Sequence, residues 1–219
     1  MTDMLTLTQV LCTRLCHDLA GPIGAVAAGV ELVGNDPAQV DAETLQLIAN
    51  SSTAASRKLK FLRTALGTPG SVTLSDFRLT VAGYFEAIAG SAGKVAMTWP
   101  SEAQYAGLLT RLEGRAAQVL ANLILMAVEV VPRVRRVNIE VRTGPSLEVM
   151  VDATGDVSSQ HDPRQALFGV LADPAAAALT PKTVQPIYTH ALVRGDGGSL
   201  AAQSRDDGCR VMAVFPAVP

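Results

Sequence analysis

The sequence predicts an α+β protein: a long N-terminal helical hairpin, residues 1–67, followed by a mixed layer of helices and strands, residues 72–219. Three observations carry this. Apolar residues between Met4 and Leu66 recur at spacings of three and four, the period of a helix face. Gly67-Thr68-Pro69-Gly70 then interrupts the pattern with residues that end helices and make turns. Beyond them, short helical patterns alternate with β-branched runs such as Arg136 to Arg142 and Leu147 to Asp152.

Composition supports a packed core. Of the 219 residues 48% are hydrophobic and 17% charged, which is not the profile of a disordered chain. With 18 Lys and Arg against 20 Asp and Glu, the net charge of −2 argues against a broad nucleic-acid surface. Mean hydropathy is +0.27, yet no window approaches the roughly 18 apolar residues of a membrane span. The best candidate, Val119 to Val131, is broken by Asn122 and Glu129. Asp3, His17-Asp18 and Gly21-Pro22 stand where a signal peptide needs basic and apolar stretches, so export is not expected. The expectation is a soluble, cytoplasmic protein that engages neither nucleic acid nor membrane. Cys12, Cys16 and Cys209 are too few for a disulfide framework and are read as small buried hydrophobes.

The first helix runs from Met4 to Val33 on the stripe Leu7, Leu11, Leu15, Leu19, Ile23, Val26, Val30 and Val33, with a kink expected near Pro22. Asp41 caps the second, whose positions Leu45, Ile48, Ser52, Ala55, Leu59, Leu62 and Leu66 form a heptad seam. Two helices cannot cover both stripes alone. They must pack on the rest of the chain or pair with a second copy into a four-helix bundle, and the heptad seam favours the bundle. Further helices are expected at Ser75 to Ala92, Leu112 to Val130, Asp162 to Leu171 and Thr183 to Arg194. Strands are expected at Lys94 to Trp99, at Arg136 to Arg142 and Leu147 to Asp152 around Gly144-Pro145, and in a last hairpin, Ser199 to Ser204 and Arg210 to Phe215.

His17 is the residue that resists a structural explanation. On a wheel of about 100° per residue it falls opposite the apolar stripe, among Thr13, Gly21, Gly24 and Ala28. The small residues around it leave room for close approach, and Asp18 can orient one imidazole nitrogen. Such a pair is a competent nucleophile at neutral pH. From these residues alone, a covalent histidine and a plain surface histidine both remain open.

His17-Asp18-Leu19-Ala20-Gly21-Pro22 resembles the H-box of sensor histidine kinases, in which a histidine, an acid and a proline open the dimerisation helix. Gln118 to Leu123 resembles the start of the kinase N-box, and Gly197-Gly198-Ser199-Leu200 with Gly208 resembles the terminal hairpin of the kinase ATP-binding domain. The ordered set spans nearly the whole chain and implies a Bergerat-like α/β sandwich after the hairpin.

Departures from the kinase pattern imply that the nucleotide site is degenerate. In register, the Mg²⁺-binding asparagine becomes Met126, a soft thioether. The Asp-x-Gly-x-Gly box reads Asp152-Ala153-Thr154-Gly155-Asp156, and the Gly-rich box reads Thr183-Val184-Gln185-Pro186. A kinase-like chain that keeps its histidine and loses its nucleotide site is similar to the ChpT-type histidine phosphotransferases. The resemblance implies a homodimer that passes a phosphoryl group from the receiver domain of a hybrid histidine kinase, through His17, to response regulators, with Asp18 orienting the ring. It implies no cofactor of the chain's own, Mg²⁺ being supplied by the receiver. Arg14, Gly21, Gly24, Arg57 and Lys60 are the expected receiver contacts. Two alternatives stand beside it: a non-catalytic, kinase-like dimeric binding or inhibitor protein, and a divergent ATP-dependent histidine kinase.

Overall fold

The computed structural model describes residues 4–35, 41–89, 94–156 and 164–216. Helix α1, Met4–Asn35, runs through Pro22 without stopping, and α2, Ala42–Leu66, returns beside it. The two approach closely where Gly29 meets Ile48: a Cβ on Gly29 would lie 2.4 Å from the Ile48 side chain. Asp41 caps α2 as the sequence predicts, its carboxylate accepting from the Thr44 amide at 2.7 Å.

After α3, Leu74–Ala89, the chain forms β1 (Ala96–Thr98), α4 (Glu102–Arg111), α5 (Ala116–Glu129), β2 (Val134–Thr143) and β3 (Ser146–Gly155). Then come α6 (Arg164–Ala172), α7 (Val184–Gly195), β4 (Ser199–Arg205) and β5 (Gly208–Pro216). The five strands form one sheet in the order β1-β2-β3-β5-β4, with β1 parallel to β2 and every other pair antiparallel. Val137, Ile139 and Val141 of β2, Val149, Val151 and Ala153 of β3, and Val211, Ala213 and Phe215 of β5 alternate inward. Helix α5 is buried from Ala116 to Val128 and packs on that inner face. The fold class is the one the sequence predicts.

Helix α4 is a correction. The sequence reading starts one helix at Leu112; the chain instead makes two, separated where Glu113 and Gly114 adopt positive φ of 44° and 88°. Ser101 and Gln104 form a capping box that opens α4. The cysteine reading is corrected as well: Cys209 is buried, but Cys12 and Cys16 are exposed on α1. The strand expected at Lys94 to Trp99 is confined to Ala96–Thr98. Residues 90–92, expected to end α3, and Asp162, expected to open α6, lie outside the described residues.

The hairpin and the layer share a core. Phe61, Leu62 and Ala65 at the end of α2 are buried in the cluster that holds Phe77, Tyr84 and Phe85 of α3 and most of α5. A polar network fastens the same junction. The Asn122 amide donates to the carbonyl of Ala65 at 2.7 Å, and Gln185 of α7 donates to Asn122 Oδ1 at 2.6 Å. Gln118 donates to the Gly67 carbonyl at 2.8 Å.

Candidate functional site

The site begins with the exposure of one side chain. The His17 ring is 87% exposed on α1, while Leu15, two residues earlier, packs on the core. Its Nδ1 faces Asp18 Oδ1 at 3.5 Å, which favours the tautomer protonated at Nδ1 and leaves Nε2 as the free nucleophilic nitrogen. Ala20, Gly21, Gly24, Ala27 and Ala28 are all exposed, and nothing lies within 4 Å of a Cβ built on Gly21 or Gly24. The face around His17 is therefore unobstructed in the chain.

Pro22 shapes the backbone beneath. It has no amide proton, so the Asp18 carbonyl loses its intrahelical donor. Lys58 of α2 points its ammonium at that carbonyl from 3.5 Å.

The basic residues behave differently from the sequence expectation. Arg14 does not reach outward; its side chain is only 11% exposed and is held by Glu129 of α5 and, at 3.6 Å, by Asp18 Oδ2. Burial pulls the Arg14 pKa down, and the Asp18 charge opposes this. Arg57 is turned toward α3, where it pairs with Glu86 at 2.6 Å. Lys60 is exposed and remains available to a partner. Tyr84, stacked on Phe61 with ring centroids 4.1 Å apart, lies within electrostatic reach of Arg14 and Asp18; its pKa is pushed up first by burial and then by the Asp18 charge.

His17, Asp18 and Arg14 line a cavity of about 500 Å³ together with Met126, Glu129, Val130, Leu167, Lys182 and Pro186. Two of the three departures from the kinase nucleotide boxes thus line the same cavity as the histidine. Pro186 is the third residue of α7 and removes one of the amides a helix N-terminus offers to an anion. The third departure is corrected by the structure. Asp152 alternates with the buried Val151 and Ala153, so it lies on the open face of the sheet, away from the helices. There it is held by Arg210 through two contacts of 2.7 Å and by Arg205 at 3.3 Å. Asp156 pairs with Arg135 at 3.0 Å and lines a different cavity. Among the described residues no group of three or more His, Cys, Asp or Glu side chains is placed to hold a metal. None of the described helices is long and apolar enough to cross a membrane.

Glu129 and Tyr84 are the site neighbours that sequence reasoning missed. Glu129 stands out in the sequence as the one charge in the apolar run Val119 to Val131, but nothing there names its partner.

The exposed histidine is carried on a helical hairpin that packs against a layer of helices on a five-stranded sheet. Residues 77–208, more than half of the chain, match the family described as histidine phosphotransferase C-terminal domain, and the chain belongs to that family. It is 32% identical over 133 residues to the protein phosphotransferase ChpT of Brucella abortus (strain 2308). That match covers 59% of this chain and 57% of the relative, so it spans little more than half of the relative's length. The fold is shared with a solved structure described as a bacterial phosphotransferase, at a TM-score of 0.73 and 23% identity, over 97% of this chain and 98% of that one.

Proposed function

We propose that this chain is a phosphorelay histidine phosphotransferase that moves a phosphoryl group between receiver-domain aspartates through His17, without using ATP. The observation that carries the reading is the His17 ring, 87% exposed with Nδ1 turned to Asp18, lining a cavity that Met126 and Pro186 also line. The Nε2 lone pair attacks the phosphorus of a receiver's aspartyl phosphate. An N–P bond forms, the P–O bond to the aspartate breaks, and that carboxylate leaves as an anion. The ring keeps its Nδ1 proton and becomes positively charged, a charge that Asp18 stabilises. Transfer to a second receiver reverses the step, returning neutral imidazole. Positioning and charge stabilisation are the protein's whole contribution. The partners are the receiver domain of a hybrid histidine kinase and response regulators, whose acidic pockets supply the Mg²⁺, and the active form is a homodimer.

The test mixes the purified chain with radiolabelled phospho-receiver domains and no ATP. Wild type is expected to take up acid-labile label, and His17→Ala to take up none. If donors of known competence leave wild type blank, the transfer reading fails and a binding or inhibitor role replaces it. Label entering His17 from ATP alone would make the chain a divergent kinase.

A further inference from the structure

Asp18 divides its two oxygens. Oδ1 faces His17 Nδ1 at 3.5 Å, and Oδ2 faces Arg14 Nε at 3.6 Å. The far end of the Arg14 guanidinium is gripped by Glu129, which comes from α5 in the layer and not from the hairpin. An arginine side chain has many rotamers in isolation, but its planar fork becomes a rigid strut once both ends are engaged. Here one end is engaged by each unit of the fold.

We infer that Glu129 is a positioning residue for the histidine chemistry: through Arg14 it fixes the Asp18 carboxylate so that one oxygen stays aimed at His17 Nδ1. Its carboxylate does not touch the imidazole, so it acts only through the chain Glu129, Arg14, Asp18, His17. Without that hold, Arg14 is free to collapse onto Asp18 with both nitrogens and draw the carboxylate away from the ring. The inference rests on the transfer reaction proposed above, and it makes the geometry at His17 depend on how the hairpin sits against α5.

A brace that merely held α1 against α5 would act on binding and stability, so the test reads something else. Single-turnover transfer from phospho-receiver is measured on the full chain as wild type, Glu129→Gln, Asp18→Asn and the double variant, at varied donor concentration. Imidazole nitrogen resonances of His17 are recorded by NMR on the same proteins without any receiver. Glu129→Gln is expected to lower the rate at saturating donor roughly tenfold, with the half-saturating donor concentration unchanged. In the Asp18→Asn background it should add nothing, since both act through one carboxylate. The share of ring protonated at Nδ1 should fall in Glu129→Gln, and Glu129→Asp should restore most of the rate. Losses that multiply in the double variant, or a His17 spectrum unmoved by Glu129→Gln, would overturn the inference. If the spectrum responds but wild type accepts no label from competent donors, the positioning stands and the transfer reading is what fails.

Discussion

A histidine and an aspartate at consecutive helical positions project about 100° apart, so contact between them is not automatic. The 3.5 Å between the His17 ring and Asp18 is longer than a fully formed charge-assisted hydrogen bond, about 2.7–2.9 Å. Such a contact is weak while the ring is neutral and strengthens when positive charge develops on it, which in the proposed transfer is when stabilisation would accelerate the reaction. Asp18→Asn keeps the shape and removes the charge. It is expected to slow single-turnover transfer about a hundredfold while the half-saturating donor concentration holds. A variant as fast as wild type would remove Asp18 from the mechanism. Arg14 sits one turn earlier, largely buried between Asp18 and Glu129, where it is placed to hold the carboxylate.

At the scale of elements, α2 carries a pH-dependent start. The Asp41 carboxylate accepts from the Thr44 amide, and that hydrogen bond holds its pKa below the usual carboxylate value. A depressed folded-state pKa gives stability that is present above the unfolded value, near 3.8, and lost as pH falls through the folded one. Asp41→Ala should therefore lower the melting temperature at neutral pH, and the gap from wild type should narrow below pH ~3.8. A gap independent of pH would mean that the carboxylate charge is not what caps α2. This cap was legible because it is local: an aspartate, an acid in the first turn, and a clean heptad behind it. Helix α4 was equally local, announced by Ser101 and Gln104, but the apolar run after Leu112 overshadowed the break at Glu113-Gly114. Facing is harder to read than existence. Asp152 matched a motif by counting, yet strand alternation turns it to the side of the sheet opposite the helices, where Arg210 holds it. His17 and Asp18 could be read because both lie on one helix. Glu129 could not, since its partner is more than a hundred residues away and only the docking of α1 on the layer joins them.

At the scale of the whole molecule, polar fastenings set both helices of the hairpin against the layer, among them Arg14 to Glu129 for α1 and Asn122 to the Ala65 carbonyl for α2. They leave one edge of the hairpin uncovered. On α2 the heptad seam splits by seven-residue steps: Ile48, Ala55 and Leu62 are turned inward, whereas Leu45, Ser52 and Leu59 are exposed. Helix α1 divides the same way, with Leu19, Val26 and Val33 inward and Cys16, Ile23 and Val30 exposed. A seam with a seven-residue period and one open edge on each helix is the surface that a second identical hairpin covers in a four-helix bundle. Exposed Cys16 fits the same account, since a small thiol packs well in such a seam. Light scattering on wild type should give twice the chain mass of 22.8 kDa. Leu45→Lys with Leu59→Lys places charges where both seams meet and should give the single-chain mass. Because each leucine is already half exposed in the single chain, its fold should survive, seen as an unchanged far-ultraviolet dichroism spectrum. In the proposed transfer His17, Asp18, Arg14 and Glu129 all come from one copy, so a folded monomeric variant should still accept label from a phospho-receiver wherever the receiver rests on one hairpin alone. Loss of label together with dimerisation would instead place part of the receiver's footing on the second copy. A wild type of single-chain mass would refute the bundle and leave the chemistry of His17 untouched.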